Sequence, residues 1–245
     1  MSTAGRAAGS GRDSCCLDIV FRFEVKYRYV LVLLGDDLLE SLLFAKRMPK
    51  DARQKLLYVA LRLFTEKGFK ETSILEMVEA ARVSKTTFYN FFRSKEELLV
   101  QLFERLVDEV LDEVRKAAEQ QEKVAYKAFS GIRRYIELCT DRVTVAQLLL
   151  VASVGVSEEV ELVRRKAHRR FADLIYSIVR DVLSGTVSES DLKVVAQAMV
   201  GAINEVVIQN VITSKQEVDL DRLARMLNRI VVGSFSSLLV KHPSN

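Results

Sequence analysis

The chain has 245 residues, 49% of them hydrophobic and 29% charged, a balance that excludes a disordered or membrane-embedded protein and can fill one large core or two modest ones. Only two prolines and ten glycines occur, and no tryptophan, so helix breakers are scarce and an all-α fold is favoured. The net charge of +4 is uneven: residues 48–95 hold ten Lys/Arg against five Asp/Glu, which points to an anionic partner for that segment.

Residues 1–14 are a Gly/Ala/Ser/Arg mixture that reads as disordered. Residues 21–29 alternate apolar and charged side chains, a strand periodicity with no second strand downstream to pair with. Residues 29–34 form an apolar run too short to cross a bilayer. A clean helical pattern begins only at Met48, so residues 1–47 are expected to be a disordered arm or an extension mis-assigned upstream of a start at Met48. The cysteines are Cys15, Cys16 and Cys139, an odd number without metal-ligand spacing. Neither a disulfide framework nor a metal site nor a cofactor is expected, and a reducing, cytoplasmic setting fits.

From Met48 on, the spacing of Leu56, Leu57, Ala60, Leu61, Leu63 and Phe64 predicts an amphipathic helix that stops at Lys67-Gly68. Ser73-Ile74-Leu75-Glu76 is a capping box and starts a second helix. Arg82-Val83 breaks that helix, and Ser84 caps a short third one over residues 85–91. Ser94-Lys95-Glu96-Glu97, a second capping box, launches a long fourth helix towards Gln121. A short helix headed by small polar residues and a lysine, tightly joined to the one before it, is a helix-turn-helix. Phe88, Phe91 and Phe92 are expected in its core.

Residues 53–99, with "ALRLFTEKGF", "TS", "AARVSKTTFYNFF" and "SKEEL" in that order, resemble the DNA-binding domain of the TetR family of bacterial transcriptional regulators. The chain departs from the family at Arg82, where the turn usually has glycine. The resemblance implies that Thr72, Ser73, Tyr89 and Lys95 meet phosphates and that Lys85, Thr86 and Thr87 approach bases or adjacent phosphates. Arg82, Ser84 and Asn90 complete the candidate DNA-binding set. It divides the chain into residues 1–47, a DNA-binding domain at 48–97 and an effector-binding and dimerisation domain at 98–245.

The rest of the chain reads as helices over residues 123–139, 143–156, 158–183, 188–213 and 220–240. Residues 143–156 are almost wholly apolar and are expected to be buried. Val160, Val163, Phe171, Ile175, Ile178 and Val182 form the inner stripe of the third of these. Residues 192–212 are apolar on nearly every face and, with the last helix, are expected to form a four-helix interface in a homodimer. Candidate ligand-binding residues are Arg133, Tyr135, Tyr176, Asn204 and Glu205; His168 reads as a surface residue. "GAINEVVIQNVI" and "LARMLNRIVVGSF" resemble, at the level of pattern, family members that respond to fatty acyl compounds.

The expected function is that of a homodimeric repressor that binds a palindromic double-stranded DNA operator and is released by a hydrophobic, fatty-acyl-type effector, with no membrane partner. The alternatives are a helical sensor that has lost DNA binding and an all-α enzyme. The enzyme is disfavoured because the chain has only His168 and His242 and no phosphate-binding glycine loop.

Overall fold

The protein is described by a computed structural model over residues 41–214 and 217–240. The strand-like run at 21–29 and the expected disorder at 1–14 lie outside the described residues. Within them the fold is all-α, with no strand. The first four helices are α1 (Ala52–Glu66), α2 (Ile74–Ala81), α3 (Lys85–Phe91) and α4 (Lys95–Glu119). Each starts where a short polar side chain caps it: Asp51, Ser73, Ser84 and Ser94 accept from the backbone N–H three residues on. Gly68, at φ +88°, turns the chain out of α1. The capping box at Ser73 and Glu76 is complete. That at Ser94 is split, because the Glu97 carboxylate accepts from the Arg93 N–H at 2.8 Å.

Phe88 and Phe92 are fully buried and join Leu56, Leu57, Met77 and Leu98 in one core with the inner stripe of α4. Burying each ring contributes about 2–3 kcal/mol. Phe91 corrects the expectation of three core aromatics, since it is 38% exposed. Helix α3 spans two turns and buries only Phe88 within its length, while the extended backbone of Phe92 swings the next ring inward.

The body comprises α5 (Val124–Asp141), α6 (Val143–Gln147), α7 (Glu158–Leu183), α8 (Glu189–Val207) and α9 (Leu220–Ser237). Helices α6 and α8 run on as π-helical turns, Leu148–Ala152 and Ile208–Ile212. Two expectations about burial are corrected. Residues 143–156 are not a buried helix: Val143, Val151 and Val154 are exposed, while Val145, Ala146, Leu148 and Ser153 lie inside, so the segment turns only one side to the core. On α7, Val182 is exposed and Val179 is buried instead, since residues 180–182 of the last turn all lie open.

The segment before α1 also packs differently from the expected extension. Leu42 and Leu43 are buried in the core that includes α4. The Glu109 carboxylate accepts from the Ser41 hydroxyl at 2.7 Å and from the N–H groups of Leu42 and Leu43 at 3.0 and 2.8 Å. Arg105 holds that carboxylate at 2.7 Å. Residues 41–44 are therefore fastened to the body by satisfied backbone donors as well as by apolar burial.

Candidate nucleic-acid interface and effector cavity

Helix α3 presents Lys85, Thr86, Tyr89 and Asn90 to solvent. Their spacing, i, i+1, i+4 and i+5, sets all four on one face, opposite the buried Phe88 ring that anchors the helix. Tyr89 is 55% exposed although its ring lies edge-on to Phe88 at 5.3 Å, so its hydroxyl end is free while its base is held. Arg82 and Ser84 are also exposed, and Thr87 is half-buried. The Ser84 hydroxyl accepts from the Thr87 N–H at 3.0 Å and pairs with the Thr87 hydroxyl at 2.8 Å, so both residues serve the cap. Sequence reasoning missed Arg93, whose side chain is 95% exposed beside this surface in the chain. Its position between Phe92 and the Ser94 cap was the available signal.

Arg82 replaces the usual glycine by adopting the left-handed conformation itself, at φ 53° and ψ 49°. The turn closes normally: the Arg82 N–H donates to the Glu79 carbonyl at 3.1 Å and the Val83 N–H to that of Val78 at 3.0 Å. A side chain in this region costs about 1–2 kcal/mol. Arg82→Gly is therefore expected to raise the unfolding free energy by about 1 kcal/mol in urea titration, part of the relief being lost to the flexibility of glycine in the unfolded chain. An unchanged or lower stability would show that the turn carries no strain.

Two expected phosphate contacts are corrected. Thr72 is 1% exposed, and its hydroxyl donates to the Gly68 carbonyl at 2.8 Å; the side chain closes the α1–α2 loop and cannot reach DNA. Lys95 is half-buried, with its ammonium 2.7 Å from the Phe69 carbonyl, 2.8 Å from that of Thr72 and 3.4 Å from that of Lys70. It also lies 4.3 Å above the centre of the Phe69 ring. Its donors are spent on the loop, so Lys95 is an internal knot. Ser73 remains exposed, but its N–H and hydroxyl both serve the Glu76 carboxylate. Lys67, 2.7 Å from that carboxylate, and then the Ser73 donors hold it down to about 2, so the box stays ionised at neutral pH.

The body contains two neighbouring cavities. The first, about 720 Å³ of space partly open to solvent, lies among α4, α5, α6 and α7, with Leu43 in its wall. The second, about 650 Å³ of space likewise partly open to solvent, is bounded by apolar side chains of α5, α7, α8 and α9. Tyr135, Phe171 and Asn204 line both. The Tyr135 hydroxyl donates to Asn204 Oδ1 at 2.8 Å and its ring meets Phe171 edge-on at 5.6 Å. Burial pushes the Tyr135 hydroxyl well above its ordinary range and the Cys139 thiol up to about 12, so both stay protonated.

Of the five candidate ligand residues, only Tyr135 and Asn204 are brought together at these cavities. Arg133 instead pairs with Asp221 at 2.7 Å and ties α5 to α9. Tyr176 lies beneath the Lys193 ammonium, 5.4 Å from its ring centre. Glu205 is exposed and accepts from Gln209 at 2.9 Å. Each sits on a helix face turned away from the cavities, a distinction that residue type cannot make. His168, read as a surface residue, lines the first cavity, with Nε2 3.2 Å from the Gln197 carbonyl. Arg142 and Arg164 line it too and were not singled out from the sequence.

Comparison with known proteins agrees with this arrangement. The family model described as bacterial regulatory proteins of the tetR family matches residues 56–102. The HTH-type transcriptional regulator YhgD of Bacillus subtilis is 26% identical over 196 residues, 78% of this chain and all of that protein. The HTH-type transcriptional activator FasR of Mycolicibacterium smegmatis is 36% identical over 72 residues, 29% of this chain and 33% of that protein. Among solved structures, the fatty acid degradation regulator FadR of Bacillus halodurans superposes with a TM-score of 0.65 at 18% identity, covering 76% of this chain and 97% of that one. FadR of Bacillus subtilis, solved in complex with stearoyl-CoA, gives 0.64 at 19%, covering 73% and 97%. A matched helix-turn-helix segment, a regulator aligned over its whole length and a shared fold converge in support of a TetR-family transcriptional regulator.

Proposed function

We propose that two copies of this chain bind a palindromic operator as a repressor and that a hydrophobic small molecule of the fatty acyl class releases them. The observation that carries the reading is the exposed face of α3, where Lys85, Thr86, Tyr89 and Asn90 stand on one side of a helix anchored by Phe88. Lys85 and Arg93 would neutralise phosphates, Tyr89 would donate to one, and Thr86 and Asn90 would read base edges in the major groove. The side chains of Thr72 and Lys95 have no part in these contacts.

Pairing of copies is supported by α8 and α9. Residues Glu189–Ile212 are 24 long and apolar enough to cross a membrane by length and composition, yet only 28% of their most apolar window is buried within one copy. One face of α8 packs inward through Leu192, Ala196, Val200 and Ile203. Val194, Ala198 and Gly201 lie open on another, as do Met226, Ile230 and Gly233 on α9. A side-chain carbon added at Gly201 or Gly233 would meet nothing within 4 Å, which leaves room for another helix to approach closely. A second copy covering these stripes fits better than a bilayer, because the opposite faces are already committed to the body.

The adjoining cavities support an elongated apolar effector, and one structural neighbour was solved with stearoyl-CoA. Release would follow if the effector binds better to a conformation in which the two α3 helices are wrongly spaced. Gel shift against the DNA upstream of the chain's own gene tests the reading. Specific DNA should be retained over scrambled DNA at moderate salt, Lys85→Ala should weaken both and reduce the salt slope by about one, and Thr86→Ala should change the preference among operator variants. Stearoyl-CoA should lower operator affinity by roughly 5- to 150-fold. No preference over scrambled DNA overturns the regulator reading, and an unaltered shift with acyl ligand overturns the effector class.

A further inference from the structure

The first cavity has a charge pattern that an apolar ligand alone does not explain. Two arginines and a histidine line it, and no aspartate or glutamate does. Arg164 is ion-paired by a residue outside the cavity lining: its Nη1 holds both oxygens of Glu161 at 3.1 and 3.0 Å. Arg142 has no carboxylate within ion-pairing distance among the described residues; its guanidinium carbon lies 5.7 Å from the centre of the Phe44 ring. The Nε atoms of both arginines are shut off from solvent without a hydrogen-bond partner. Buried guanidinium donors left unpaired are costly, and proteins seldom keep them without something to receive them.

The second cavity is the opposite in character, bounded almost wholly by carbon, with Tyr135 and Asn204 its chief polar groups. Tyr135, Phe171 and Asn204 border both cavities, so the two adjoin at these residues. We infer that the paired cavities form one site for an amphiphile with an acidic head, the carboxylate or phosphate meeting Arg142 and Arg164 and the hydrocarbon tail passing Phe171 and Tyr135 into the apolar chamber. A guanidinium pairs both kinds of anion in the same planar, two-point geometry.

The segment ahead of the DNA-binding helices belongs to this site. Leu43 forms part of the cavity wall, and Phe44 stacks against the guanidinium groups of Arg142 and Arg134, at 5.7 and 5.9 Å. Asp51, the N-cap of α1, lies seven residues further along the chain. An anion drawing Arg142 inward would weaken its contact with Phe44 and so reach the segment that leads into α1.

This inference rests on the effector reading above and narrows it to a head group. Its test uses probes of one chain length: dodecanoate, dodecyl phosphate and dodecanol, titrated into the full chain by calorimetry. At least one of the two anions should bind about tenfold or more tightly than the alcohol, the gain expected when an ionised partner satisfies buried donors. A preference between carboxylate and phosphate identifies which acid the head group is. Arg142→Gln should lose that advantage while Arg142→Lys keeps part of it, with circular dichroism confirming the fold. Equal binding of alcohol and anions by the wild-type chain overturns the acidic head and leaves the apolar effector standing. Failure of all three probes to bind overturns both.

Discussion

Ile230→Glu yields a chain that sediments as a single copy and no longer shifts the operator. Ile230 is 47% exposed in one copy and shares its face of α9 with the more open Met226 and with Gly233. Burying an isoleucine contributes about 2 kcal/mol, and two-fold symmetry counts every substitution twice. Because about half of the side chain is already covered in one copy, loss of the remaining burial lowers the dimer constant roughly thirtyfold, and a desolvated carboxylate facing its own copy lowers it further. Operator binding follows because one α3 reads one half-site, and the second half-site contributes only when the two are tethered. Helical content should be largely retained, since Ile230 is exposed in one copy and lies outside the buried stripe of α9 formed by Ala224, Leu227, Val231 and Phe235. Sedimentation and gel shift together decide the matter: a dimeric variant with normal operator affinity would place the interface elsewhere.

Lys95→Met lowers the unfolding free energy of the DNA-binding helices by about 2 kcal/mol, the scale of hydrogen bonds made by a charged donor. Methionine keeps the apolar stem over the Phe69 ring but leaves the carbonyls of Phe69 and Thr72 without their donor. The loss should appear as earlier urea unfolding and faster amide exchange in the α1–α2 loop. DNA affinity should fall by the same factor for specific and scrambled sequences only where the folded fraction falls, and the salt slope of the folded protein should not change. A slope reduced by about one, with unaltered stability, would return Lys95 to the phosphate backbone.

These expectations show how far residue pattern reaches. The three serine-capped helix starts, the glycine stop after α1 and the short α3 were legible because each depends on atoms within one turn of the chain. A serine followed three residues later by glutamate states its own geometry. Residue type was a poorer guide to which polar groups are free. Thr72 and Lys95 look like phosphate ligands in the sequence, but their partners are carbonyls four and more than twenty residues away. Arg133, Tyr176 and Glu205 promised a cavity lining that Arg142, Arg164 and His168 provide instead.

By itself the sequence determined the all-α class, the helix-turn-helix and the exposed reading face of α3, since periodicity and capping are local and the apolar stripe is set by 3.6-residue spacing. Only the tertiary structure decided that residues 41–44 dock on Glu109, that Phe92 and not Phe91 enters the core, and that two arginines, each with an unpartnered Nε, line one of two adjoining cavities. The reason is distance along the chain: these depend on contacts between residues tens of positions apart, where many pairings satisfy the same composition and only packing of the whole selects one.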